Sequence, residues 1–323
     1  MHVDFDNFHI STHYHEVYRV LPDSIQLALN KVVEHEAKRW HSLLQAFPDC
    51  PVKSFDSESL SPVPVGTFED IEKLANDIRS AWDLGSHTII HQVDEVLQYQ
   101  GILVVVCEIH PHAALSSING RYYLQGEGIS DSVGTPFIIV DHRLTLESQQ
   151  YHLAQELGRI LLHDRITRDL KDVMARIPCD RRSNPEQHLP ESEDRRKKLL
   201  DEHWDHYFAT AFLLPNDLLR RYLGDKRSNI DPRELDFLHG LFGINSQYLL
   251  WRAKNAKILH EELCIYHQSS PYHAGNKSHK LEKHQTSVLF LRLLYRGLSE
   301  NYLTEKDAAK LLDLTLDEFL ALN

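Results

Sequence analysis

The sequence predicts an α+β fold, with a small three-stranded sheet, a central pair of helices and further helical regions towards both ends of the chain. Three observations carry that expectation. Apolar residues recur at a helical period before residue 100 and after residue 149. The β-branched runs are confined to the stretch 102–140. A chain of 323 residues, 42% of them hydrophobic, can bury a core that needs no disulfide or metal to hold it.

The elements follow in order. Ile25, Leu29, Val32, Val33, Trp40, Leu43, Leu44 and Phe47 fall near a 3.6-residue period behind the start signal Pro22-Asp23-Ser24, which marks an amphipathic helix over 24–47. Pro51 to Gly66, rich in Ser and Pro, reads as an extended linker, after which Thr67 or Glu69 opens a helix bearing Ile71, Leu74, Ala75, Ile78 and Trp82. Another helix is expected from Ile89 to Tyr99. The strands are Ile102–Cys107, Arg121–Leu124 and Phe137–Val140. Gln149–His163 is helical, with Leu153, Leu157, Ile160 and Leu161 on its apolar side. Asp180–Asp201 carries 12 charged residues among 22 and reads as a mobile insertion. From Glu202 onward the pattern is helical, broken at Pro215, at 224–232, at Gly243 and at 268–279. The expected organisation is a helical lead and linker over 1–66, a central domain over 67–215 with an insertion at about 164–201, and a helical region over 216–323.

Several function classes are disfavoured. The longest unbroken apolar run, Ile102–Cys107, is six residues, against roughly 20 for a membrane helix. The opening residues His2, Asp4 and Asp6 give no export signal, so the cytoplasm is the expected location. The four cysteines are far apart and read as reduced thiols. With 35 basic against 47 acidic residues, a net charge of −12 repels a phosphate backbone, so direct DNA binding is not expected. Leu303–Leu320 has the look of a helix-turn-helix, but its second helix offers Asp317 and Glu318 with no Lys or Arg after Lys310; packing or protein contact is the better reading. The 22 histidines mostly stand singly, and His35-Glu36 and His260-Glu261 lack a histidine at metal-ligand spacing.

One constellation remains. Pro136-Phe-Ile-Ile-Val-Asp141, followed by Gln149-Gln-Tyr-His-Leu-Ala-Gln-Glu-Leu-Gly-Arg-Ile-Leu-Leu-His163, resembles the core of the ImmA/IrrE family of metallopeptidase-like proteins, where a short strand leads to a helix bearing HELGH. Glu202-His-Trp-Asp-His-Tyr-Phe-Ala-Thr-Ala-Phe-Leu-Leu-Pro215 resembles the family's second active-site helix, and the likeness runs over roughly residues 67 to 260. The resemblance implies a zincin-like core. In such a core two His at i and i+4 face one zinc, the intervening Glu activates the metal-bound water, and another helix supplies a third ligand.

Laid on this sequence, the first ligand position is Gln155, the general-base position Glu156, the second ligand Arg159 and the third Glu202: QELGR in place of HELGH. Gln is a poor zinc ligand, and Arg has no lone pair to donate. The expectation is therefore a metal-free pseudopeptidase without a cofactor, in which Arg159 pairs with Glu156 and Glu202 where zinc would sit. It would act by protein–protein interaction, the family suggesting a repressor or a toxin–antitoxin partner. The alternative is an active zinc endopeptidase with a relocated metal held by residues among His152, His163, Glu202 and His206. His152 and His163 lie about 16 Å apart along a straight helix, so at most one could join such a site.

Overall fold

The computed structural model describes residues 9–15, 21–56, 60, 65–109, 115–126, 129–130, 133–162, 204–242, 244, 246–259 and 286–322. Contacts divide the chain into two units, one of Met1–Phe55, Gln92–Leu144 and Lys280–Asn323, the other of Asp56–His91 and Thr145–His279. Both units are discontinuous, and they cut across the sequential division at 66 and 215. The expected insertion at 164–201 lies outside the described residues.

The first unit holds the sheet. Its strands are β1 (His9–Tyr14), β2 (Leu103–Cys107), β3 (Ser117–Gly126), β4 (Ile129–Ser130) and β5 (Thr135–Asp141), in the order β1-β3-β5-β2 with the short β4 beside β3. β3 runs antiparallel to both β1 and β5, whereas β2 is parallel to β5. The three expected strands are β2, β3 and β5, and the described residues form a sheet of five. The addition β1 lies in what was expected to be a purely helical lead. With Ile10 and Tyr14 as its buried large side chains among His, Ser and Thr, it carries too weak an alternation to stand out in the sequence.

Helix α1 (Asp23–Gln45) buries Leu29, Val33, Ala37, Trp40 and Leu43 at helical spacing. These side chains share a core with Leu103, Val105, Phe137 and Ile139 of the sheet and with the helices near the C-terminus. Trp40 meets Phe290 at 6.0 Å between ring centroids, and the Arg39 Nε donates to the Leu311 carbonyl at 2.7 Å. The short helix α2 (Val93–Tyr99) starts later than the expected Ile89, its first turn forming where Asp94 and Glu95 meet the positive end of the helix.

The second unit is helical: α3 (Phe68–Ala81), α4 (Leu146–Leu162), α5 (204–213), α6 (Asn216–Leu223), α7 (Pro232–Phe242) and α8 (Ser246–Asn255). A capping box between Thr67 and Asp70 starts α3. Two buried arginines fix the end of α5. Arg79 donates to the Phe212 carbonyl at 2.7 Å and to Gly85 and Thr88, while Arg252 donates to the Leu214 carbonyl at 2.9 Å and pairs with Glu72 at 2.5 Å. Cations at a helix C-terminus satisfy its free carbonyls and its dipole; burial pushes Arg79 down to about 10. The first unit ends in α9 (Val288–Ser299), α10 (Glu305–Leu311) and α11 (Leu316–Leu320). No helix among the described residues is long and apolar enough to cross a membrane.

Candidate functional site

The site lies within the second unit, where α4 meets α5. Thr145 opens α4 by accepting from the Ser148 backbone N–H, a helix start of the expected kind. Leu153, Leu157 and Leu161 turn inward, which leaves Gln155, Glu156 and Arg159 towards α5. A close approach makes the contact. A Cβ on Gly158 would stand 2.9 Å from the Phe208 ring, so only glycine lets α5 come so near. Asp205 lies three residues before Phe208, about one turn, and it reaches the polar residues of α4.

Arg159 bridges two carboxylates. Its Nη1 donates to Glu156 Oε1 at 2.8 Å and its Nε to Asp205 Oδ2 at 2.5 Å. Both acidic side chains are 0% exposed and the arginine side chain only 13%. Gln155 Nε2 adds a bond to Asp205 Oδ2 at 3.1 Å, and the His206 backbone N–H one to Asp205 Oδ1 at 2.7 Å. Burial pushes the Asp205 carboxyl up to about 7, against the pull of Arg159. Removal of the carboxylate from water sets that direction, and the neighbouring Glu156 adds to it.

A second chain of polar groups runs from the same glutamine. Gln155 Oε1 lies 3.1 Å from His152 Nδ1, and Gln155 Nε2 lies 3.3 Å from His206 Nε2. Since that amide nitrogen donates, His206 accepts at Nε2, and its other ring nitrogen, Nδ1, meets the Tyr151 hydroxyl at 2.6 Å. Tyr151 stacks on Tyr248 at 3.7 Å. Burial holds His152 below its usual range and drives Tyr151 well above its own, so both are neutral near pH 7.

The expected pairing of Arg159 with Glu156 is present. Among the described residues Arg159 also bonds Asp205, which sequence reasoning did not name; the expected Glu202, like His163, lies outside the described residues. Asp205 could have been found as an acid in an apolar stripe, because Phe208, Ala209 and Phe212 follow it at i+3, i+4 and i+7 and are all fully buried. Tyr151 and Tyr248 gave no such signal. His152 and His206 are both drawn to Gln155. Among the described residues no group of three His, Cys, Asp or Glu is placed to hold a metal ion.

Residues 97–250 match the family model described as the IrrE N-terminal-like domain, Peptidase_M78. No curated protein shows significant similarity. Among solved structures, a Mycobacterium tuberculosis transcriptional regulator is similar at 16% identity over 57% of this chain and 47% of that one, with a TM-score of 0.37. The chain thus spans less than half of that structure's length.

Proposed function

Because the chain carries a metallopeptidase-like domain of the ImmA/IrrE family over residues 97–250, we propose that it is a cytoplasmic pseudopeptidase that acts by binding a protein partner. The observation that carries this reading is Arg159. At the position of the family's second zinc ligand stands a guanidinium bonded to both Glu156 and Asp205.

Zinc in such a site supplies a Lewis acid and a water that is nucleophilic near neutral pH. The residues present do not fit that ion. A guanidinium has no lone pair, and its positive charge opposes a dication. Arg159 instead ties α4 to α5 by charge-assisted bonds. Glu156, the general-base position, accepts from Arg159 Nη1 at 2.8 Å.

The partner belongs to the family analogy: a repressor, or a member of a toxin–antitoxin pair. Fold-level analogy suggests such a partner without identifying it.

Elemental mass spectrometry of protein purified without chelator or metal-affinity resin tests the reading. The expected result is zinc below roughly a tenth of an equivalent. Near one equivalent would overturn it and return the protein to the zinc endopeptidases, with His152, His206, His163 and Glu202 the residues to mutate.

A further inference from the structure

The outer edge of β1 carries an inference that is independent of the α4–α5 site. β1 is the terminal strand of the sheet path, and no described strand pairs with its far side. Its hydrogen-bonding phase can be read from one contact. His15 N–H donates to the Asn119 carbonyl at 3.1 Å, and these residues continue the β1–β3 register in which His13 faces Arg121 and Ser11 faces Tyr123. In an antiparallel pair, hydrogen-bonded and non-hydrogen-bonded positions alternate. His9, Ser11 and His13 therefore direct their backbone groups at β3, and Ile10, Thr12 and Tyr14 direct theirs away from it.

An open edge invites another strand, and proteins commonly guard such edges with Lys, Pro or a bulge. β1 has no such guard. Its six residues include no Lys, Arg, Asp or Glu, in a chain of net charge −12. The segment also reads nearly the same in both directions from Ser11: a β-branched residue on each side, Ile10 and Thr12, then a histidine on each side, His9 and His13. A near-palindrome suits a two-fold antiparallel pairing, in which each position meets its mirror position.

We propose that β1 is a self-association edge, pairing antiparallel with β1 of a second copy so that the two sheets become one. About the two-fold axis at Ser11, Ile10 of each copy exchanges backbone hydrogen bonds with Thr12 of the other. His9 of each copy then sits across from His13 of the other at the closer, non-hydrogen-bonded spacing. The two histidines are exposed. His13 also packs edge-on against Tyr123, 5.0 Å between centroids, and Arg121 faces it in register. An interface of one short strand per copy is small, and the association is weak and concentration-dependent.

Sedimentation equilibrium on the full chain, over a concentration series at pH 8, tests this. The expected result is a concentration-dependent monomer–dimer equilibrium. Thr12→Pro removes an outward N–H without touching the β3 ladder and should abolish the dimer while the far-UV spectrum stays unchanged. The His9→Lys/His13→Lys double variant sets like charges directly opposite across the strand pair and should abolish the dimer; it decides the question if the proline variant does not fold. A monomer at every concentration, or a dimer that survives these substitutions, would overturn the proposal; the latter would assign association to another surface.

Discussion

Asp205 shows how one buried proton can govern a site. Its carboxyl has a higher pKa in the folded chain, about 7, than the usual 3.8. Between those values the folded state holds the proton more tightly than the unfolded state does. This group's contribution to stability is therefore fully present below about pH 4, declines as the pH rises towards 7 and is level above that. The slope it adds is at most about 1.4 kcal/mol per pH unit. Asp205→Asn should flatten the curve of unfolding free energy between pH 4 and 7, as read by urea titration at a series of pH values; an unchanged slope would show that another group titrates there. At this scale the sequence spelled out Gln155, Glu156 and Arg159 as polar groups on one helix, because side-chain chemistry is intrinsic. That Asp205 stands opposite Arg159 depends on the pairing of two helices 46 residues apart in sequence, which no local pattern encodes.

At the scale of elements, helices were the legible part. The periods that place α1, α3 and α4 arise within each segment and do not wait for its partners. Strand β1 was not legible, since a six-residue strand of mostly small and polar side chains is recognised only by the ladder it joins. The closeness of α4 and α5 rests on Gly158. Gly158→Ala would raise helix propensity by roughly 1 kcal/mol, yet it would drive a methyl into the Phe208 ring, and overpacking of this kind costs about 1–3 kcal/mol. The clash should prevail or nearly cancel the gain. Thermal unfolding is expected to show a lower midpoint, with the polar network of Asp205 and Arg159 disturbed; a raised midpoint would mean that Phe208 can turn aside without cost.

For the whole molecule, the consequence lies in the discontinuity of the units. The core beneath Leu103, Val105, Phe137 and Ile139 is closed by Leu29, Val33 and Trp40 of α1 and by Leu289, Phe290 and Leu293 of α9. A fragment of 67–215, the span the sequence marks as a domain, contains the strands β2, β3 and β5 without these helices. Such a fragment should expose its apolar sheet, bind a hydrophobic dye and give poorly dispersed amide resonances, whereas the full chain does neither. A well-dispersed spectrum from the fragment would show that 67–215 folds without α1 and α9.

The sequence by itself determined the side chains of the QELGR segment, most helices and the strands β2, β3 and β5. These follow from side-chain type and from periods of two and 3.6 residues, which are local. Only the tertiary structure decided that Asp205 is the second carboxylate on Arg159, that β1 extends the sheet, and that the terminal helices complete its core. Each is a contact between residues distant in the chain, chosen by close packing and by the cost of leaving a buried charge unpaired.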